Sequence, residues 1–296
     1  MTTAQKKSEN RLSPREIVQL IRLPNLLIIF LTQYFTAIFL CGIDDSYKLY
    51  LFDPNLFLLS ASTVLIAAGG YIINDYYDIK IDYINRPNKV VVGKLIKRRI
   101  ALTTHLTFSF FGVLIGLFIN LFIGGINLLA AFLLWFYSNH LKRLPFVGNV
   151  AIAFLTALGL LVVVILYPKN QEMVFIYAMF AFFINLIREI IKDIEDWKGD
   201  KAFGCKTLPV VLGIRKTKKI ALFILLVFIG TILWLTIKQD NYFLKIYFVI
   251  LAIPAMVFIQ RLIRADSKKD FYILSGFTKL IMLSGIISMI FFKLIK

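Results

Sequence analysis

Long apolar runs separated by short charged segments dominate the chain. Nine of them approach or exceed the ~18 residues that suggest a membrane span. They fall at about 17–41, 56–74, 100–119, 122–140, 146–167, 172–191, 220–237, 243–263 and 271–292. The pattern predicts an all-α, polytopic integral membrane protein of nine transmembrane helices, with residues 1–296 forming a single domain. Residues 1–16 are polar and lead directly into a long run, so no cleavable signal peptide is expected. Two connections, 75–99 and 192–219, are much longer than the others. They contain Tyr76, Tyr77, Tyr83 and Trp197 and are expected to be ordered caps over one mouth of the bundle.

Composition agrees with the pattern. Apolar residues make up 59% of the chain, against about 45–50% in soluble domains. The net charge of +17 would suit a nucleic-acid partner, but its distribution says otherwise. Of the 34 Lys and Arg residues, 25 lie in segments 1–16, 75–99, 141–145, 192–219 and 261–270, on alternate ends of the predicted spans. Six lie at the opposite ends. That is the positive-inside asymmetry of a protein in a lipid bilayer. It puts the N-terminus and both long connections in the cytoplasm, with no nucleic acid involved. Cys41 and Cys205 are too few and too distant for a disulfide framework, and His105 and His140 form no metal-ligand spacing. His105 reads as a helix-packing residue.

The two long connections share one feature. Asp75, Asp78 and Asp82 stand at D-x-x-D-x-x-x-D spacing, and Asp193, Asp196 and Asp200 repeat it, each 118 positions after its counterpart. On a helix such residues fall within roughly 60° of arc. Six carboxylates brought together repel one another, by about 4 kcal/mol per pair at 4 Å in an effective dielectric near 20. A divalent cation relieves this, and oxygen-only ligands suit Mg²⁺, which keeps waters and bridges carboxylates to substrate phosphates. Basic residues stand close by: Lys80, Arg86, Lys89 and Lys94 in one connection, Lys192, Lys198, Lys201 and Lys206 in the other. Lys142 and Arg143 occupy a short connection on the same side. Carboxylates, metal and cations at a membrane mouth would take a phosphorylated anion, and the apolar spans would shelter its hydrocarbon tail. A lipid diphosphate fits both halves.

NDYYDIKIDYINRP (74–87) resembles the N-D-x-x-D-x-x-x-D signature of the UbiA superfamily of intramembrane prenyltransferases. REIIKDIEDWKGDKAFGCKTLP (188–209) resembles its second motif with the trailing G-x-x-T-L-P. The resemblance implies a helical bundle around a central cavity, and Mg²⁺-dependent transfer from a polyprenyl diphosphate donor to a hydrophobic or amphiphilic acceptor. It makes Asn74, Asp75, Asp78, Asp82, Asp193, Asp196 and Asp200 metal-site candidates, with Asp78, Asp82, Asp196 and Asp200 closest to catalysis. YSNHLKRLP (137–145) resembles a further family segment and adds Tyr137, Lys142 and Arg143 near the diphosphate. An R-x-P-N stretch adds Arg22 and Asn25 near the acceptor, although snorkelling of Arg22 to the interface explains it equally simply. After INRP the chain reads Asn88-Lys89-Val90-Val91-Val92-Gly93, lacking two prolines and a serine that many relatives carry.

The wording of both motifs is most like the branch that adds a geranylgeranyl group to a geranylgeranylglyceryl phosphate. An aromatic acceptor, in quinone or haem-side-chain synthesis, is the alternative. A cation-coupled transporter is the alternative of another class, but transporter acids lie near the midplane beside broken helices. Arg188 and Glu189 precede the second motif by one turn; as intramembrane charges they are functional candidates, and pairing with each other explains them equally well. Lys279, within the last span, has no role assigned by the sequence, which also carries no signal of oligomeric state.

Overall fold

The computed structural model describes residues 13–238 and 254–294. The chain opens with α1 (Pro14–Leu20) and α2 (Leu23–Phe35), the latter continued by a π-helical stretch, Thr36–Cys41. Next come α3 (Tyr47–Leu51), α4 (Pro54–Asn85), α5 (Arg98–Ile119), α6 (Leu121–Asn139) and α7 (Val147–Leu166). Then follow α8 (Gln171–Ala202), α9 (Leu208–Leu212), α10 (Ile214–Lys238), helical residues 254–264 as α11, and α12 (Lys268–Leu294). Eight helices among the described residues are long and apolar enough to cross a membrane. Of the ninth expected span, 243–263, the part from 254 onward is helical and the rest lies outside the described residues.

Two sequence expectations are corrected. The aspartate motifs do not sit in connecting caps but on α4 and α8, each 32 residues long. At 1.5 Å per residue such a helix measures about 48 Å, against ~30 Å for a hydrocarbon core, so its last turns extend beyond that core. No Gly or Pro interrupts residues 71–86, and α4 stops where Pro87 disfavours helical geometry in Arg86 (φ −147°). Helix α8 runs on to Gly204, whose positive φ of 69° ends it. The first span is also not continuous. Pro24 opens α2, and Arg22 adopts a left-handed conformation (φ 53°) between α1 and α2. Arg22 therefore sits at a helix junction rather than inside a span.

Helices α4 and α8 are the most enclosed, with 56% of each apolar window buried. Helix α4 packs on α2, α5 and α6, while α8 packs on α7, α10 and α12. Ile187, Ile190 and Ile191 of α8 meet Phe258, Leu262 and Phe271 in one apolar cluster. The connection after α4 is ordered: Val91, Val92 and Ile96 fold back onto Leu20, Ile72 and Ala101.

The two motif helices converge at their ends. The Asn85 side chain donates to the Asp196 carbonyl at 3.0 Å and accepts from the Gly199 amide at 3.0 Å, clamping α4 to α8. A Cβ at Gly199 would overlap that side-chain amide. Gly199→Ala should therefore destabilise the protein by about 1–3 kcal/mol, as overpacking does. Thermal unfolding in detergent checks this, and adding Asn85→Ala should recover part of the loss. An unchanged melting temperature would mean that the helix ends do not meet here.

Candidate active site

The clamped ends enclose a cavity of about 70 Å³. Six carboxylates line it: Asp78 and Asp82 from α4, and Glu189, Asp193, Asp196 and Asp200 from α8. Asn74, Tyr137, Arg22 and Lys142 also face it, as do Arg86 and Lys192. Most of the residues singled out in the sequence thus come together. Three do not line this cavity. Asp75 turns to Arg22, which donates to it at 2.8 Å. Asn25 lines the neighbouring chamber. Arg143 is exposed and lines neither, because Leu141–Arg143 is a 3-10 turn. Successive residues there diverge by 120°, so the turn that aims Lys142 inward aims Arg143 away.

The carboxylates are sorted by partner. Lys142 forms an ion pair with Asp78, in which the side chains are only 9% and 15% exposed. Arg86 pairs with Asp196 at 2.8 Å and reaches Glu195 at 3.3 Å. Asn149 of α7 donates to Asp193 at 2.8 Å, and Thr207 donates to Asp200 at 3.2 Å. Asp82 faces the cavity with no ion pair among the described residues. Arg22, holding its left-handed backbone, also lies 4.8 Å over the Tyr71 ring. Such strain of ~1–2 kcal/mol is retained where surrounding contacts dictate it, often at functional sites.

Asn85, Asn149, Glu189 and Thr207 were not picked out in the sequence as site residues. Thr207 had a signal, since it is the threonine of the trailing G-x-x-T-L-P. Asn85 falls on the Asn74–Asp78 face, eleven positions after Asn74. Glu189 stands out in the sequence only beside Arg188, as an intramembrane charge, and a lone asparagine in a long helix, such as Asn149, gives no signal. Cys205 also lines the cavity as a free, buried thiol. Burial, with the Asp200 charge nearby, pushes its pKa up to about 11, so it stays protonated and inert at neutral pH.

Among the described residues no three His, Cys, Asp or Glu side chains are grouped to hold a metal ion by themselves. The donors are nonetheless hard oxygens on two clamped helices, facing a space with room for several waters. That set fits Mg²⁺, which keeps waters and completes its shell with phosphate oxygens, rather than a closed all-protein site.

Two further chambers follow toward the bundle interior. One of about 180 Å³ shares Arg22, Asn74, Tyr137, Glu189 and Lys192 with the acidic cavity. The other, about 120 Å³, is almost wholly apolar, walled by Phe180, Phe228 and Ile281, and shares Ile28, Thr156 and Met282 with the middle chamber. An ionic mouth, a polar middle and an apolar end are thus joined through shared walls.

A membrane-embedded helical bundle with this sequence of chambers has the form of an intramembrane lipid-diphosphate enzyme. The chain belongs to the UbiA prenyltransferase family, whose model matches residues 47–281; it is a prenyltransferase. It is 33% identical over 275 residues to the digeranylgeranylglyceryl phosphate synthase of Methanosphaera stadtmanae, covering 92% of this chain and 96% of that one. The enzyme of the same name from Saccharolobus solfataricus is 35% identical over 216 residues, covering 72% and 74%. A solved structure of a digeranylgeranylglyceryl phosphate synthase is 26% identical with a TM-score of 0.68, covering 93% of this chain and 98% of that one. A UbiA homolog from Archaeoglobus fulgidus, solved with GPP and Mg²⁺, is 16% identical with a TM-score of 0.63, covering 93% and 99%.

Proposed function

We propose that this protein transfers a prenyl group from a polyprenyl diphosphate to geranylgeranylglyceryl phosphate, with Mg²⁺ as cofactor, through a single domain over residues 1–296. The observation that carries this reading is the acidic cavity sharing walls with a cationic and then an apolar chamber. The names of the relatives similar over nearly the whole chain support the acceptor.

The residues divide the work. Asp78 and Asp82 of α4, with Asp193, Asp196 and Asp200 of α8, would hold the metal, Asn74 and Asp75 supporting them from the same helix. Mg²⁺ supplies Lewis-acid stabilisation of charge on the leaving diphosphate. Lys142, Arg86 and Lys192 offset the same charge from positions fixed before the reaction, so little reorganisation is needed. Arg22, Asn25 and Tyr137 face the passage between donor and acceptor. As the allylic C–O bond breaks, the apolar walls exclude water from the carbocation. The acceptor hydroxyl oxygen then forms the new C–O bond, its O–H bond breaking as the proton passes to the released diphosphate. Arg143, pointing away, is left out of this assignment.

Purified protein, given geranylgeranyl diphosphate and a panel of acceptors, should prenylate the glycerolipid phosphate in preference to hydroxybenzoate or dihydroxynaphthoate. Product with an aromatic acid and none with the glycerolipid would replace this acceptor with the aromatic one.

We also propose that the motif ends face the cytoplasm, on the asymmetry of Lys and Arg. Cys41 and Cys205 are both buried, so a single introduced cysteine reports alone. Lys48 and Lys201 are exposed at opposite ends of the bundle. On intact cells an impermeant maleimide should label Lys48→Cys and spare Lys201→Cys. The reverse pattern would invert the orientation.

A further inference from the structure

The acidic and middle chambers carry opposite charge. Around the acidic cavity four basic side chains face six carboxylates. Around the middle chamber four basic side chains, Arg22, Arg188, Lys192 and Lys279, face one carboxylate, Glu189. Arg22 is engaged by Asp75, and Lys192 stands on the wall common to both chambers. Arg188 and Lys279 line the middle chamber and not the acidic one.

The protein satisfies each of these two only in part. Arg188 donates from Nη1 to Glu189 at 2.5 Å, but its buried Nε has no hydrogen-bond partner. Lys279 Nζ donates to a neutral acceptor, Asn25 Oδ1, at 3.0 Å, with no ion pair among the described residues. An orphaned buried donor costs about 1–3 kcal/mol, and a charge facing a neutral amide inside a bundle is costly again. Three helices, α2, α8 and α12, bring this unsatisfied positive charge to one space. Arg188 lies eight residues from Asp196, about 12 Å along α8. An anion bound there is separate from the donor's diphosphate, yet close enough to belong to a co-substrate in the same reaction.

We infer that Arg188 and Lys279, with the Asn25 amide, bind the phosphate monoester of the acceptor and set the enzyme's preference for a phosphorylated lipid. The inference rests on the glycerolipid acceptor proposed above. A guanidinium and an ammonium match a phosphate carrying nearly two negative charges. An unphosphorylated lipid alcohol in the same place would leave Lys279 without a countercharge and bring no anion to the Arg188 Nε, so discrimination arises from the protein's own unmet positive charge.

The test compares geranylgeranylglyceryl phosphate with geranylgeranylglycerol as acceptors. Wild type should prefer the phosphate. Lys279→Gln, close to isosteric, should raise KM for the phosphorylated acceptor about 30-fold or more. KM for geranylgeranyl diphosphate should stay within about twofold, and the ratio of kcat/KM between the acceptors should collapse. Lys279→Arg should retain the preference. Arg188→Lys, which keeps a countercharge for Glu189, should weaken it in the same selective way. Melting temperatures in detergent separate these effects from misfolding. If wild type makes product from the phosphorylated lipid and Lys279→Gln leaves the acceptor ratio unchanged, or raises both substrates' KM alike, this inference falls alone. If wild type makes none, the acceptor reading falls and takes this inference with it.

Discussion

Asp82→Asn should lower turnover by about 10²–10³-fold or more, the scale of losing a charge-stabilising group, while the protein stays folded. Asp82 is the cleanest place to ask this question because no cation among the described residues depends on it. Replacing its carboxylate relieves repulsion from Asp78 one turn away and orphans nothing. Asp78→Asn should behave differently. It removes the partner of Lys142, whose side chain is only 9% exposed. Breaking a buried pair from one side costs on the order of 3 kcal/mol, since the remaining charge is left uncompensated. Asp78→Asn should therefore lose activity and melt lower, and adding Lys142→Met should restore stability but not turnover. Circular dichroism melts and single-turnover assays on the same preparations separate the outcomes. Wild-type turnover in Asp82→Asn would remove Asp82 from the metal site. A melting temperature falling as far as that of Asp78→Asn would show that Asp82 has a structural partner after all.

The contrast depends on what was legible in the sequence and what was not. The twin aspartate spacings were legible because a helix turns regularly: residues three and seven apart share a face whatever surrounds them. That same rule already implied that α4 and α8 run through their motifs. Hydropathy hid this, because it drops at Asn74 and Lys192 although the backbone has no reason to stop before Pro87 or Gly204. Charge pairing was not legible. Arg22 and Asp75 are 53 residues apart, and Arg86 and Asp196 110 apart. No local pattern announces such contacts. The basic residues near the motifs were read as lining a site for a phosphorylated anion, and nothing in the sequence signalled that Arg86 and Lys142 also pair with Asp196 and Asp78. Arg143 was named with Lys142 on the resemblance of YSNHLKRLP to a family segment, and the 3-10 geometry of that turn separates the two.

Those ion pairs offset part of the repulsion within the acidic cluster. Asp78 of α4 pairs with Lys142 and Asp196 of α8 with Arg86, while Asp75 of α4 pairs with Arg22 and Glu189 of α8 with Arg188. If Asp78 and Asp196 hold Mg²⁺, Lys142 and Arg86 would be free to face the diphosphate from where they stand, and a fixed polar site of that kind favours charge on a leaving group. The cavity carboxylates without an ion pair among the described residues, Asp82, Asp193 and Asp200, would be left for the metal alone.

Asp82→Asn combined with Asp200→Asn should accordingly be scarcely worse than either single change. The two residues lie on different helices, whose ends are clamped by Asn85. If both serve one metal–diphosphate assembly, losing either disables the unit and the second loss has little left to remove, as with other groups that act together. Each single variant should show a large fall in kcat and a raised Mg²⁺ requirement, and the double should match the worse single within about an order of magnitude. EDTA should abolish wild-type turnover, and Mg²⁺ should restore it. Steady-state rates over a Mg²⁺ titration for wild type, both singles and the double decide the matter. Multiplicative losses would mean that the two helices contribute independently, and the single assembly would have to be abandoned. Full turnover in EDTA would remove the metal altogether, leaving Lys142, Arg86 and Lys192 as the only positive charge on the leaving diphosphate.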